Sequence, residues 1–368
     1  MPLIFHEIVF RRDILRIPGA ETTIPGARYY ATPPHIAALG RTQRSAGVAL
    51  FDDHGPTNAF RFWRGESLNG KTVAYYHEGA FGDELIHTTF YREIVLRHPA
   101  ARLSAAVKFR GGNILIGNRF IGDYPLPIAP VISHDWAGAF DYWIAPRSVI
   151  AEARAGDGEA AGAYDLLEAE IGVQLSVKRP YIYMPSDVRA NLRARAAQAC
   201  LNANRLPEDF WKRFVLIHTN ASEPERTPDD WHDRIRACIK VTRGRFYYAA
   251  VGDAEHIAAI PRSDRDPLPV FLFAQGTPKS PPVELLLAFA EAAAAVICPD
   301  SMIMHAAAAF DTPAIALWNM MPGARTEDGL RIPAPAERIA TYANTRAVSM
   351  TADHEEVAEM LGQIVGKP

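Results

Sequence analysis

Residues 214–317 constrain the fold most. Five short apolar runs (214–218, 245–251, 270–273, 295–298 and 314–317) alternate with stretches of helical character at 229–242, about 254–260, 283–293 and 301–310. Apolar runs of this length fit strands buried on both faces, and their alternation with helices argues for a doubly wound α/β domain with a parallel sheet. Pro281-Pro282 marks the start of the third helix, and Gly252 follows the second run directly.

An earlier block repeats the theme. Residues 72–76 read as a strand and Gly79-Ala80-Phe81-Gly82 as a tight turn. Residues 83–97 read as a helix, with Ile86, Phe90 and Ile94 at helical spacing and Pro99 just beyond its end. With a strand at 102–109 they make one βαβ unit, which implies a right-handed crossover. A chain of 368 residues exceeds one ordinary core, so two main domains are expected. Residues 177–184, with Pro180 inside and Pro185 after, read as the connection, and a helix over 187–202 opens the second domain.

Other stretches are less regular. Residues 1–60 carry Pro18-Gly19, Pro25-Gly26, Pro33-Pro34 and Gly55-Pro56, which argue against long helices apart from a short one near 35–40. Short strands and turns packed on the first domain are expected there, in no role the residues reveal. Residues 110–150 are mixed, with a strand at 114–116. Residues 151–171 look helical but broken by glycines, and 352–365 form an amphipathic tail with Val357, Met360, Leu361 and Ile364 on one face.

Charge excludes little and favours little. The net charge of −3 gives no global attraction to nucleic acid or an acidic membrane. Cys200, Cys238 and Cys298 are odd in number and far apart, which fits neither a disulfide framework nor a zinc site and points to a reducing cytosol. No apolar run approaches the ~20 residues of a membrane span. Residues 1–10 lack the basic, apolar, small-residue order of a signal peptide.

Four constellations carry chemistry, each with a plainer alternative. Gly79 and Gly82 let the chain reverse and a ligand approach its backbone, and Asp83 then sits at the carboxyl end of a parallel strand. Asp83 is equally a helix N-cap. The loop 219–226, with Ser222 and Arg226, has the hydroxyls and the forked cation to hold a diphosphate, or is simply a solvated turn. Asp253 and Glu255 follow a strand-ending glycine, where a carboxylate takes a ribose diol or merely complements a helix dipole. Asp300, Ser301 and His305 open the last helix of the alternating block, with Ser301 and His305 four apart on one face. A lone histidine on an alanine-rich helix is also a common core residue. A Ser/His/Asp hydrolase is set aside because there is no G-x-S-x-G elbow. Asp52-Asp53 and Asp229-Asp230 are not read as a metal site, and no metal is assigned.

In this order, these pieces resemble glycosyltransferase family 9, the ADP-heptose:lipopolysaccharide heptosyltransferase family. The resemblance rests on Gly79–Asp83 as its Gly-x-x-Gly-Asp turn, on Arg97-His98-Pro99-Ala100-Ala101, on Asp300–His305 as its late Asp-(Ser/Thr)-Gly-x-x-His helix start, on Pro313, and on Pro322-Gly323-Ala324-Arg325-Thr326. The stretch from Trp63 to Gly79 is also similar to the transferase domains found behind tetratricopeptide repeats. The resemblance covers roughly residues 61–365.

It implies a GT-B fold, with two Rossmann-like domains facing a cleft. Residues 1–60 would be an extension, 61–180 the acceptor-side domain, 181–345 the nucleotide-sugar-binding domain and 346–368 a C-terminal helix packing back on the first domain. It implies an inverting, metal-independent transfer from a nucleotide sugar, ADP-heptose among the candidates, to a hydroxyl of a surface glycan, lipopolysaccharide core, lipid-linked or protein acceptor. A lipid-linked acceptor would bring the protein to the inner membrane face. By position, Asp83 is the implied general base. Asp300, Ser301 and His305 would contact donor sugar and phosphates, Ser222 and Arg226 the leaving diphosphate, and Glu255 the ribose. Three positions depart from the family: Met302 replaces its glycine, Arg226 stands for its phosphate-loop lysine, and the middle of the first domain matches poorly. The rival expectations are a nucleotide-sugar epimerase on the same fold and a catalytically silent sugar-nucleotide-binding protein.

Overall fold

The computed structural model describes residues 4–11, 26–46, 50–77, 81–108, 115, 117–122, 126–128, 131–146, 163–201, 205–221, 227–258, 260, 269–275, 283–318 and 342–366. The chain divides into two compact units, 1–152 with 165–176 and 153–164 with 177–368.

Unit 1 runs β1 (His6–Phe10), β2 (Arg28–Ala31), α1 (Pro33–Ala46), β3 (Phe51–Pro56), β4 (Thr72–Tyr76), α2 (Phe81–Arg97), β5 (Arg102–Lys108), β6 (Leu126–Ile128), β7 (Ile132–Ser133), α3 (His134–Gly138) and β8 (Tyr142–Ile144). A helix, α4 (Ala163–Ile171), follows at the point where the chain passes between units. Two four-stranded sheets form. One, in the order β3-β1-β2-β7, is antiparallel; the other, β6-β5-β4-β8, is parallel.

Residues 1–60 therefore supply most of a sheet of their own, with Ile8 and Phe10 of β1 turned inward beside Leu39 and Val131. The short helix expected at 35–40 is longer, 14 residues. Pro33 and Pro34 do not forbid it, because a first-turn residue has no helical partner for its N–H. The strand expected at 72–76 is β4, paired in register with β5 from Thr72↔Arg102 to Tyr76↔Ala106. β8 is three apolar residues, too short to show periodicity in sequence. It is fixed by Trp143, which is fully buried and donates from Nε1 to the Ala137 carbonyl at 3.1 Å.

Unit 2 begins with α5 (Ser186–Ala199) and continues β9 (Phe214–His218), α6 (Trp231–Thr242), β10 (Tyr247–Asp253), α7 (Ala254–Ala258), β11 (Val270–Gln275), α8 (Val283–Ala292), β12 (Ala295–Pro299), α9 (Met302–Ala309), β13 (Ala314–Trp318), β14 (Thr345–Ser349) and α10 (His354–Ile364). Its sheet is six-stranded and parallel, in the order β11-β10-β9-β12-β13-β14. β9 and β12 are buried at every position, as central strands covered on both faces must be. β14, an edge strand with one fully buried residue, has no apolar run and escaped the sequence reading.

The C-terminal helix α10 packs on α6 of the same unit. Val357, Ala358 and Leu361 join the core formed by Ile235 and Cys238 of α6. A Cβ on Gly362 would come within 2.8 Å of Val241, so the two helices approach closely there. Arg234, buried on α6, donates to the carbonyls of Met350 and Ala352 at 2.8 and 3.0 Å and so fixes the chain entering α10. The apolar face found in sequence thus has its partner in α6. Among the described residues no helix is long and apolar enough to cross a membrane.

Candidate active site

In unit 2 the chain leaves β9 toward β10 on one side and leaves β12 toward β13 on the other. Because all six strands are parallel, their carboxyl ends share one edge, and the connections part between β9 and β12. Open α/β sheets bind ligands at that parting. β9 ends at His218, followed by Thr219 and Asn220; β12 ends at Pro299, followed by Asp300, Ser301 and α9.

Ser301 is the N-cap of α9, in extended conformation (φ −148°, ψ 167°), yet its side chain makes no capping hydrogen bond. Its Oγ lies instead 3.3 Å from His218 Nδ1. The Ser301 hydroxyl therefore does not cap α9; the Met304 N–H bonds the Ser301 carbonyl at 3.1 Å, and a helix start of this kind attracts an anion through the N–H groups left over. His218 is buried, and burial lowers its pKa to about 4, so it is neutral at physiological pH.

Further along the same edge, Gly252 is pressed against Thr219: a Cβ there would fall 1.6 Å from Thr219 Oγ1. That approach brings Asn220 Nδ2 to Asp253 Oδ1 at 3.3 Å. Trp231 Nε1 donates to the Thr219 carbonyl at 2.9 Å and holds the loop from below.

His305 is buried one turn into α9, and its Nδ1 is 2.8 Å from the hydroxyl of Tyr342. Burial pushes its pKa down to about 4. Its Nδ1 is thus satisfied within the core. Ser301 and His305 have separate partners, His218 and Tyr342. Asp300, Ser301 and Met302 are half-buried.

In unit 1, Asp83 is half-buried on the first turn of α2. The helix begins at Phe81, so Asp83 is its third residue and not its N-cap. Gly82 precedes it within the same turn. The next residue, Glu84, turns inward and meets the end of β4. His77 Nε2 lies 2.7 Å from Glu84 Oε2, and the Tyr91 hydroxyl donates to Glu84 Oε1 at 2.8 Å. Beside them the Tyr75 hydroxyl is 2.8 Å from His87 Nδ1, and the rings of His77 and His87 stack with centroids 4.1 Å apart. All five side chains are buried. Burial and the neighbouring His77 hold His87 well below the usual imidazole range, hence neutral.

Residues 283–356 match the model of glycosyltransferase family 9 (heptosyltransferase). The resemblance read from the motifs is borne out. The matched segment contains the whole Asp300–His305 helix start and runs into α10. No curated protein matches the chain. Among solved structures, it is similar to the ADP-heptose lipopolysaccharide heptosyltransferase II of E. coli, at 13% identity and a TM-score of 0.56 over 80% of this chain and 98% of that one. It is similar also to a glycosyl transferase of family 9 from Veillonella parvula DSM 2008, at 10% identity and a TM-score of 0.57 over 82% and 98%. The fold is accordingly that of the GT-B glycosyltransferases.

Of the residues singled out in sequence, Asp300, Ser301 and His305 stand together at the switch point. Glu255 is exposed on the first turn of α7, beyond β10 and so two strands from β12. Gly79, Ser222 and Arg226 lie outside the described residues, as does the segment 322–326. His218 was missed. Its signal was a histidine closing an apolar run just before Thr219-Asn220, and it was read only as the end of a strand. Among the described residues no group of three or more His, Cys, Asp or Glu is placed to hold a metal ion.

Proposed function

We propose that the protein is an inverting, metal-independent glycosyltransferase that moves a sugar from a nucleoside-diphosphate donor to an acceptor hydroxyl. The reading is carried by one observation: the segment matching family 9 places Asp300, Ser301 and an uncapped helix start at the switch point of a Rossmann-order sheet. A nucleoside diphosphate leaving group gathers negative charge as the sugar–phosphate bond breaks. Helix N–H groups and neutral N–H or O–H donors at the β9/β12 parting would stabilise that charge. Ser301 and His305 are assigned to the donor's phosphates and sugar, Asp300 to the sugar, and Glu255 to the nucleoside ribose. Ser222 and Arg226 are assigned to the diphosphate.

Asp83 is assigned as the base that takes the acceptor's proton, because an alcohol attacks poorly until a carboxylate does so. ADP-heptose is the first donor to try and a lipopolysaccharide core the first acceptor; a lipid-linked acceptor would draw the protein to the inner face of a membrane. Three buried cysteines outside any disulfide, two of them with thiols pushed up to about 12 by burial, suit a reducing cytosol. Asp83→Ala tests the assignment. Transfer from the true donor should fall about 100-fold or more, while an unchanged rate removes Asp83 from the chemistry.

A further inference from the structure

Tyr342 stands behind His305. Its hydroxyl is 2.8 Å from His305 Nδ1, the two rings meet edge to face with centroids 5.6 Å apart, and Tyr342 Oη is 3.4 Å from Tyr164 Oη. Tyr164, Tyr342 and His305 are all buried and all belong to unit 2. Among the described residues the contact with Tyr342 is the one hydrogen bond the His305 side chain makes. A phenol is a strong donor and a weak acceptor, whereas an unprotonated ring nitrogen is a strong acceptor. An O···N distance of 2.8 Å therefore favours the proton running from Tyr342 to Nδ1, with Tyr164 behind it to bond the Tyr342 oxygen.

We propose that Tyr342 is a positioning residue that locks His305 into the tautomer with its proton on Nε2, so that His305 offers a neutral N–H to an anionic ligand at the opening of α9. The proposal rests on the reading of that opening as the donor phosphate site. A buried imidazole carries one proton near neutral pH, and the bond made by one nitrogen decides which atom bears it. Burial keeps His305 uncharged and holds the Tyr342 hydroxyl protonated well above its ordinary range, so both partners are in the required state. An N–H at Nε2 complements a phosphate oxygen; a lone pair there would repel it. Met302, where the family has glycine, narrows access to the backbone N–H groups and gives the side-chain donor more of the work.

The test is nitrogen NMR on the full chain labelled at histidine, with His305→Gln assigning the resonance. Between pH 6 and 8, His305 should show a protonated Nε2 and an unprotonated Nδ1, and Tyr342→Phe should populate the other tautomer. Calorimetry with ADP, GDP and UDP as probes supplies the second readout. Tyr342→Phe should weaken the best of them about 10-fold. The double variant Tyr342→Phe/His305→Ala should bind no worse than His305→Ala, because Tyr342 acts through His305. A proton on Nδ1 in the wild type, or additive losses in the double variant, overturns the proposal. If no nucleotide binds the wild type, the donor-site reading fails, while the tautomer spectrum still decides the role of Tyr342.

Discussion

Three histidines, His87, His218 and His305, are buried and neutral, each held below the usual imidazole range chiefly by burial. The unfolded chain binds protons at these sites near pH 6.5, and the folded protein binds them at His218 and His305 only near pH 4. Between those values the unfolded state holds more protons. Stability is therefore fully present above about pH 6.5 and is lost as pH falls toward 4, by on the order of 3 kcal/mol for each of the two. Denaturant unfolding at pH 7.5 and 5 should show the loss, and His218→Gln should flatten part of it. Only His305 was picked out from the sequence, through its spacing from Asp300 and Ser301. His218 closes an apolar run, and only the strand order reveals that this run lies beside β12. Gly252 is a sharper case of the same limit. Its glycine was read as a strand end, whereas its necessity comes from Thr219, 33 residues away. Gly252→Ala should cost about 1–3 kcal/mol by overpacking, measurable as a lower denaturant midpoint with unchanged slope.

α2 shows what hydrophobic periodicity can and cannot reveal. Ile86, Phe90 and Ile94 gave the helix its limits to within two residues at the start, and the strand–turn–helix order followed. Glu84, His87 and Tyr91 lie on the same helix and are just as buried, but polar residues at helical spacing read as a solvated face. Their burial depends on Tyr75 of β4 and on His77 just beyond its end, which supply the partners. A buried carboxylate that loses one partner is costly, while an apolar pair in its place can be neutral. His77→Leu alone should therefore destabilise the protein by about 3 kcal/mol or more, and adding Glu84→Leu should recover most of that loss. Thermal unfolding of the two variants decides it: a double variant worse than the single would mean the pair contributes net stability.

For the whole molecule, both βα blocks were legible because short apolar runs alternated with helices, and β9, β12 and α8 fell within a residue of where the sequence put them. The antiparallel sheet of the first unit, β14 and the partner of α10 were not, because each depends on contacts between segments far apart in the chain. In unit 2 the segment that matches the family 9 model carries a helix start at the switch point of a parallel sheet. A ligand that binds the folded state alone must stabilise it, by about 2.7 kcal/mol at a hundredfold excess over Kd. The direct measurement is a thermal-shift screen of the full chain against ADP, GDP and UDP and their sugars, ADP-heptose included, repeated on His305→Ala. One nucleotide sugar should raise the melting temperature clearly above the others, and His305→Ala should lose most of the rise. No shift with any of them, or a shift that survives intact in His305→Ala, would contradict the donor-site reading.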